Sequence, residues 1–378
     1  MLRERLSAWQ GIFRRKGTLG GAAILANSLA GRLARRWPGT AAITQHAPPA
    51  LDVEVSTVCN LRCAGCLHGL SGDFHRAQPK FLSLERFQAI MDQVGRQTLS
   101  MNLTTLGEAF LHPQIYDIIT MAKAHHLCVH ADTNGHILDL DKVLDCGLDE
   151  ITFAVDGFTQ EDYAAYRRGG DLAKVLGNIE ALGDLAMRRG SDIRIQVKYL
   201  VSAFSEGTIE QARAHFSRIP NVHFFTGYFL IPTPDWDFFR QSPYFATPEL
   251  HALWAPKKHR EYDAYTLNEA TGLYRLSIVD LPFVDLCPMI HHGIYIHCNG
   301  DAYPCCHAAG IESPEFLIGN VFEQGVREVY CGDRARALRE QYKAKGGRFS
   351  LCQDCISNRL PGQPMRSHEA RSESGGPK

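Results

Sequence analysis

The sequence lacks both a long hydrophobic run and an excess of charge of either sign. No stretch of about 18 apolar residues occurs, so no transmembrane helix is predicted. Forty Lys and Arg residues stand against 41 Asp and Glu residues, and a net charge of -1 gives no chain-wide field that would attract nucleic acid. With 45% apolar and 21% charged residues in 378, the composition excludes a wholly disordered or fibrous chain and predicts two to three domains.

The first 37 residues carry eight basic residues against the single acid Glu4. Apolar residues recur there at helical spacings, which predicts one or two basic amphipathic helices in an extension spanning 1–48. Such helices either pack on the protein with a solvated basic face or dock on a membrane surface or a partner. No cleavage site follows the apolar stretch Leu19 to Ala30, so we expect a cytoplasmic protein rather than a secreted one, with peripheral membrane contact as the alternative role of these helices.

From residue 51 to residue 228, β-branched and apolar runs alternate with stretches of helical periodicity. Strands separated by helices predict parallel pairing with right-handed crossovers. Six such units favour an α/β fold, either a partial (β/α)6 TIM-like barrel or a doubly wound sheet, and we adopt the partial barrel. The predicted strands span 51–57, 100–107, 127–133, 150–156, 192–201 and 222–228, and the predicted helices span 83–97, 113–126, 139–146, 159–188 and 207–218.

Unusual residues follow four of these predicted strands: Cys59, Gly107-Glu108, Asn134-Gly135 and Asp156-Gly157. Because the carboxyl ends of parallel strands meet at one edge, these residues are predicted to share a site. Beyond the core at 49–228, residues 229–285 lack clean periodicity and are interpreted as a linker that packs on the barrel. Residues 286–360 form a small C-terminal domain with a hairpin turning at Asn299-Gly300, and the polar tail 361–378 is predicted to be disordered.

Twelve cysteines are the unusual feature of this composition, and seven of them fall in two clusters with tight spacing. Cys59, Cys63 and Cys66 form C-x3-C-x2-C directly after the first strand. A structural zinc site requires four protein ligands, whereas a [4Fe-4S] cluster held by three cysteines leaves one iron open for a small molecule. An iron-sulfur centre is therefore favoured, and a zinc site remains the alternative.

The order of four motifs resembles that of the radical S-adenosylmethionine (SAM) superfamily. The resemblance is carried by CNLRCAGC after strand one, TTLGEAFLHP after strand two, DTNG after strand three and AVDGFTQEDYAAYRRGG after strand four. It implies that Cys59, Cys63 and Cys66 hold a [4Fe-4S] cluster whose open iron binds SAM. In this family a flavodoxin- or ferredoxin-type donor supplies one electron, SAM is cleaved, and the resulting 5′-deoxyadenosyl radical abstracts a hydrogen atom.

Further site residues are carried over from the resemblance. Gly107 and Glu108 match the end of the motif that meets the SAM amino group, although Leu106 stands where the family has glycine. Asp156 matches a position that contacts the ribose or the substrate, and is the candidate catalytic residue. Thr133, Asn134, Arg167 and Lys198 complete the set of implied SAM-binding residues.

The second cluster comprises Cys287, Cys305, Cys352 and Cys355 in the pattern C-x17-C…C-x2-C. Four thiolates also suit a zinc site. The spacing, however, resembles the SPASM and twitch auxiliary-cluster domains of radical SAM enzymes, and the short form with one [4Fe-4S] cluster fits better. Four cysteine ligands leave no open iron, so this cluster is expected to transfer electrons. Among the other five cysteines, Cys128 and Cys146 are interpreted as buried apolar residues, and a hydrogen-atom donor is not identified.

The resemblance therefore predicts a radical SAM oxidoreductase. The leading hypothesis is oxidation of a hydroxyl-bearing carbon in a sugar or cyclitol, with the auxiliary cluster as electron acceptor. A sugar epimerase and a peptide or protein maturase are the alternatives within the superfamily, and a zinc-stabilised structural protein is the alternative outside it. The basic N-terminus adds a lipid-linked saccharide at a membrane surface as a further substrate class.

Overall fold

A computed structural model describes residues 21–30, 46–70, 79–103, 107–229, 231, 246–276, 287–344 and 349. Its centre is a run of six parallel strands with helices between them, as the strand–helix alternation predicts. All six predicted strands are found, most of them shorter than expected. They are β1 (Ala50–Val53), β2 (Ser100–Asn102), β3 (Cys128–Thr133), β4 (Glu150–Ala154), β5 (Arg194–Val201) and β6 (Val222–Tyr228).

The six strands neighbour one another in chain order, and every pair is parallel. A doubly wound sheet would reverse its strand order at a switch point, and this order does not reverse. The sheet therefore belongs to a partial (β/α)6 barrel. Within the described part of the chain β6 pairs only with β5, so this side of the barrel is open.

Four helices of the first part of the chain begin at a side chain that caps them. Ser83, Asp139, Thr159 and Asp171 each accept the backbone N–H three residues ahead, an N-cap bond that contributes typically ~1 kcal/mol. The helices of this part are α1 (residues 21–30), α2 (Leu67–Leu70), α3 (Leu84–Val94), α4 (Ile115–Ala124), α5 (Leu140–Asp145), α6 (Gln160–Tyr166), α7 (Leu172–Arg189) and α8 (Ile209–Phe216), and the four caps start α3, α5, α6 and α7. Two 3-10 turns, Ala109–Leu111 and Glu206–Thr208, precede α4 and α8.

The prediction of one long helix over 159–188 is wrong, because α6 and α7 are separate helices. The break contains Gly169, whose φ of +84° lies in the region that glycine tolerates best. A Cβ at the next residue, Gly170, would lie 2.6 Å from Cε1 of Tyr163. The two glycines therefore permit a tight turn, and this turn carries Arg167 towards the ends of the strands.

The segment after β6 is more ordered than the predicted linker. It contains α9 (Pro248–Trp254) and a hairpin of β7 (Tyr265–Asn268) and β8 (Leu273–Leu276), with a 3-10 turn at Arg260–Tyr262 between them. Trp254 stacks on Phe229 with ring centroids 5.4 Å apart, and both belong to an apolar cluster that includes Leu61 and Cys63. This segment thus packs directly on the loop that follows β1.

The C-terminal part extends the sheet of the barrel. Strand β9 (Gly293–Ile296) pairs in parallel with β1, and the antiparallel strands β10 (Asp301–Tyr303) and β11 (Gly319–Asn320) follow outward. The predicted hairpin turn is present, and Gly300 has a φ of +94°. The helices here are α10 (Pro288–His292), α11 (Cys306–Gly310), α12 (Val321–Gln324), α13 (Val326–Cys331) and α14 (Asp333–Ala344), with a 3-10 turn at Pro314–Phe316.

Of the N-terminal extension the structure describes α1 and residues 46–48, and the helical pattern from Leu2 to Phe13 lies outside the described residues. Buried Ile24 faces the body, and Asn27 forms two hydrogen bonds with the backbone of Ala47, at 2.6 and 2.9 Å. Leu25 and Leu29 are 39% and 50% exposed. No helix in the part of the chain that the structure describes is long and apolar enough to span a membrane.

Candidate functional site

Cys59, Cys63 and Cys66 lie together on the loop that follows β1. The loop is held against the turn between α6 and α7, because Ala64 N–H donates to the Tyr166 carbonyl at 2.9 Å. Burial, together with the nearby charges of Glu108, Cys63 and Cys66, raises the pKa of Cys59 to about 11, and a backbone N–H from Leu61 opposes the shift. Cys63 is buried, and burial raises its pKa as well. Thiols whose ionisation is disfavoured in this way need a cationic partner, and the irons of a cluster provide one.

Among the described residues no group of three His, Cys, Asp or Glu side chains is arranged around a single metal ion. Each cysteine of a [4Fe-4S] cluster binds its own iron atom, so the cysteines of such a cluster do not converge on one ion. The loop provides the donor set that the resemblance implies, namely three thiols without a fourth protein ligand from the same loop.

Gly107 and Glu108 form the second part of the site, at the end of β2. A Cβ at Gly107 would lie 2.1 Å from the Ser56 carbonyl oxygen, so only glycine permits this approach of the first two strand ends. The Glu108 carboxylate is buried and accepts from Thr133 Oγ1 at 2.9 Å and from the Asn134 backbone N–H at 2.7 Å. Burial raises the pKa of Glu108 and these hydrogen bonds oppose the shift, so a bound ammonium group would stabilise its ionised form.

Asn134 follows β3, and its side chain reaches the cysteine loop. Its Nδ2 donates to Asn60 Oδ1 at 2.8 Å and lies 3.8 Å from Cys59 Sγ. Through Glu108, Thr133 and Asn134 the ends of β2 and β3 are thus connected to the first cysteine. The structure brings together these residues, which sequence reasoning had taken from three separate motifs.

Asp156 and Arg167 form a buried ion pair beside the second cysteine. Arg167 Nε and one terminal nitrogen lie 2.6 and 2.5 Å from Asp156 Oδ2, and Leu200 N–H donates to Oδ1 at 2.9 Å. The other terminal nitrogen of Arg167 donates to Cys63 Sγ at 3.4 Å. Burial works against the charge of Arg167, but Asp156 and Cys63 hold its pKa well above the usual value. The catalytic role of Asp156 stays a prediction, since its carboxylate is engaged by Arg167 here.

The interior of the barrel is polar. Residues such as Leu51, Val129 and Ile195 belong to the apolar core that also contains the helices, so the alternate positions of each strand face the interior. In closed TIM barrels the interior is packed with branched apolar side chains, so a polar interior suits a chamber for a polar ligand. Polar residues at these alternate positions include Asp52, Asn102, His130, Asp132, Glu150, Thr152, Gln196, Lys198 and His223.

Hydrogen bonds connect several of these interior side chains. His130 Nε2 lies 3.1 Å from Thr152 Oγ1 and 3.2 Å from Asp132 Oδ1, and Thr152 Oγ1 donates to Gln196 Oε1 at 3.3 Å. Lys198, the remaining predicted site residue, lies two residues nearer the strand end, in register with Ala154. Sequence reasoning missed most of this network, although the polar residues recur at every second position of the predicted strands.

Two of the four predicted auxiliary ligands are described. Cys287 is buried and precedes α10, and Cys305 caps α11, accepting from the Ala308 N–H at 3.4 Å. Cys287 lies before β9 and Cys305 lies after β10. Because β10 runs antiparallel to β9, both cysteines are at the open end of this hairpin, opposite its turn. Cys352 and Cys355 lie outside the described residues.

Two family models match the chain. Residues 53–198 match the Radical SAM superfamily, and residues 287–356 match SPASM, an iron-sulfur cluster-binding domain. The chain therefore contains a radical SAM domain and a SPASM auxiliary cluster domain, and the two matched regions together cover more than half of it. The resemblance inferred from the motifs is confirmed, and with it a SAM-binding [4Fe-4S] cluster, SAM and auxiliary iron-sulfur chemistry as the cofactors of this class.

Individual relatives match over shorter stretches. The mycofactocin maturase MftC of Mycobacterium ulcerans (strain Agy99) is 31% identical over 157 residues, 40% of this chain and of the maturase. The GTP 3′,8-cyclase of Chlorobaculum tepidum is 29% identical over 122 residues, 31% of this chain and 35% of the cyclase. The alignments span less than half of either relative. The structure of native anSMEcpe with bound AdoMet shares the fold, with a TM-score of 0.51 at 14% identity over 80% of this chain and 88% of that one.

Proposed function

We propose that this radical SAM enzyme abstracts a hydrogen atom from a small, hydroxylated substrate in the barrel interior and oxidises the hydroxyl-bearing carbon. The observation that carries the proposal is the polar interior, where Asp132, Thr152, Gln196 and Lys198 present both donors and acceptors. Sugars and cyclitols present hydroxyl groups around a ring, and such groups need partners of both kinds. The similarity to GTP 3′,8-cyclase, whose name gives a small polar substrate, supports this proposal.

The chain's own residues would hold and orient the reactants. Glu108, which is held by Thr133 and the Asn134 backbone, would accept from the SAM ammonium group. The rest of the implied SAM contacts would come from Gly107, Thr133, Asn134, Asp156, Arg167 and Lys198. When bound, the cluster and SAM supply the 5′-deoxyadenosyl radical that removes a hydrogen atom. Loss of one proton and one electron then turns the substrate carbon, with its hydroxyl group, into a carbonyl.

The electron released in that step requires an acceptor, and the SPASM domain offers one. Strand β9 lies directly beside β1, so the C-terminal part that contributes Cys287 and Cys305 is continuous with the barrel wall. The cysteine loop after β1 and the part that contributes Cys287 and Cys305 would therefore be connected through one continuous sheet. Each turnover takes one electron from a flavodoxin- or ferredoxin-type donor to cleave SAM, and it releases one electron from the substrate to the auxiliary cluster. The turnover consumes no net electron once the auxiliary cluster has passed its electron on to an acceptor such as the oxidised donor.

The test is anoxic turnover with SAM, dithionite and candidate cyclitols or nucleotide sugars, followed by mass spectrometry of the products. Oxidation predicts a product lighter by two hydrogens, formed together with 5′-deoxyadenosine. A product of unchanged mass that gains one deuterium from heavy water would instead identify an epimerase. No substrate-dependent 5′-deoxyadenosine from any hydroxylated compound would count against a small-molecule substrate.

Peptide maturation is the second candidate, favoured by the similarity to MftC, which is named a maturase. The same turnover assay with short peptides in place of sugars would distinguish it. The exposed Leu25 and Leu29 of α1, beside the basic residues of the N-terminal sequence, favour a third possibility for the substrate, a saccharide on a lipid carrier at a membrane surface.

A further inference from the structure

His136, which no motif singled out, has a defined protonation state in this fold. It follows Asn134 by two residues and is buried, with 7% of its surface exposed. The backbone N–H of Asp171 donates to its Nε2 at 2.8 Å. Only an unprotonated ring nitrogen accepts a hydrogen bond, so the proton of the neutral ring is on Nδ1. Burial lowers the pKa of His136, which favours this neutral form.

The Nδ1–H group of His136 fixes the orientation of the Asn134 amide. Nδ1 lies 3.0 Å from both the backbone carbonyl and Oδ1 of Asn134, and the backbone N–H of His136 donates to the same Oδ1 at 3.1 Å. Two donors therefore converge on Oδ1, so the amide oxygen must lie on the His136 side. The amide NH2 group then points the opposite way, towards Asn60 Oδ1 at 2.8 Å and Cys59 Sγ at 3.8 Å.

The orientation matters because Cys59 is a ligand of the SAM-binding cluster. A hydrogen-bond donor near a ligand sulfur stabilises the extra negative charge of the reduced cluster and raises its potential, whereas an amide oxygen in the same place would repel that charge. We propose that His136 is a positioning residue that, through its Nδ1–H group, holds the Asn134 amide with its donor towards Cys59 and thereby raises the reduction potential of this cluster.

His136 could instead have a purely structural role, in which only Nε2 matters because it accepts the Asp171 N–H at the start of α7. Two substitutions separate the roles. The side-chain nitrogen of asparagine superposes on Nδ1, so His136→Asn keeps the donor to Asn134 and loses the acceptor for Asp171. The side-chain oxygen of glutamine superposes on Nε2, so His136→Gln keeps the acceptor and loses the donor.

The experiment is an EPR-monitored redox titration of the anoxically reconstituted full-length chain, with a Cys63→Ala variant to assign the signal of the auxiliary cluster. His136→Gln is expected to move the potential of the SAM-binding cluster to more negative values, and His136→Asn to leave it near that of the parent protein. Iron content provides a second readout, and it should stay equal in all variants except Cys63→Ala. Substrate turnover does not enter the measurement, so it is independent of the reaction proposed above.

Two results would overturn the proposal. One is a potential that His136→Gln leaves unchanged, and the other is an equal shift in His136→Asn and His136→Gln, which would mean that packing of the ring matters rather than the Nδ1 donor. Asn134→Ser removes the amide and leaves the imidazole in place. It is expected to shift the potential in the same direction as His136→Gln, and an unchanged potential in this variant would also contradict the proposal.

Discussion

The ion pair between Asp156 and Arg167 makes a quantitative prediction about stability. The side chains are 1% and 15% exposed, respectively, and Arg167 also donates to Cys63. Asp156→Asn keeps the shape of the side chain and its bond from Leu200 N–H but removes the charge. It leaves the guanidinium group of Arg167 buried without its counter-charge, with the Cys63 sulfur and the face of the Tyr166 ring as partners.

The expected cost follows from the burial of the pair. Removing one partner of a buried salt bridge typically costs ~3–5 kcal/mol, because the remaining charge has lost both water and its counter-charge. The Cys63 contact and the small exposed fraction of Arg167 place Asp156→Asn near the lower limit, at about 3 kcal/mol of unfolding free energy. Arg167→Met leaves the opposite charge unpaired, because the buried Asp156 carboxylate then keeps the hydrogen bond from Leu200 N–H but has no cation beside it.

A double-mutant cycle measures the interaction directly. Urea unfolding of the cluster-loaded protein is followed for each single variant and for Asp156→Asn/Arg167→Met, in which no unpaired charge remains. The double variant is expected to be at least ~1 kcal/mol more stable than the sum of the single effects predicts. Single effects that add to within about 0.5 kcal/mol, or an Asp156→Asn variant as stable as the parent, would refute the reasoning.

Three further predictions concern other parts of the molecule. Gly107→Ala should cost ~1–3 kcal/mol in urea unfolding, because its Cβ meets the Ser56 carbonyl oxygen at 2.1 Å, whereas Gly177→Ala, with no atom within 4 Å, should cost nothing. An equal effect of both would contradict the close approach. Glu108→Gln should weaken SAM binding roughly tenfold to a hundredfold by losing the counter-charge of the ammonium group, and unchanged affinity by equilibrium binding would exclude this contact. Binding to anionic liposomes should disappear when residues 1–37 are removed, and a full-length chain that never sediments with the liposomes would rule out membrane docking.

The six strands and their parallel pairing were predictable, because each strand has its own run of β-branched and apolar residues and helices separate the runs. The residues at the strand ends, such as Glu108 and Asn134, were predictable too, since parallel strands bring their carboxyl ends to one edge. The turn that carries Arg167 was not, because α6 and α7 together have a continuous helical periodicity and only Gly169-Gly170 marks the break.

Other features depend on contacts that are distant in sequence. The orientation of Asn134 depends on His136, whose tautomer is set by a backbone N–H 35 residues away. The segment containing α9 has no clean apolar period, and it is ordered by packing Trp254 on Phe229 near the cysteine loop. Hydrophobic periodicity predicts each helix or strand separately. It therefore does not predict a segment that becomes ordered only through its packing on other elements.

The most direct test of the central claim is the formation of 5′-deoxyadenosine from SAM by the anoxically reconstituted, dithionite-reduced chain. We predict brown protein that forms 5′-deoxyadenosine, and a Cys63→Ala variant that forms none while it keeps the iron of the auxiliary cluster. Colourless protein with stoichiometric zinc, or equal 5′-deoxyadenosine formation by the Cys63→Ala variant, would contradict a SAM-cleaving cluster on the loop after β1.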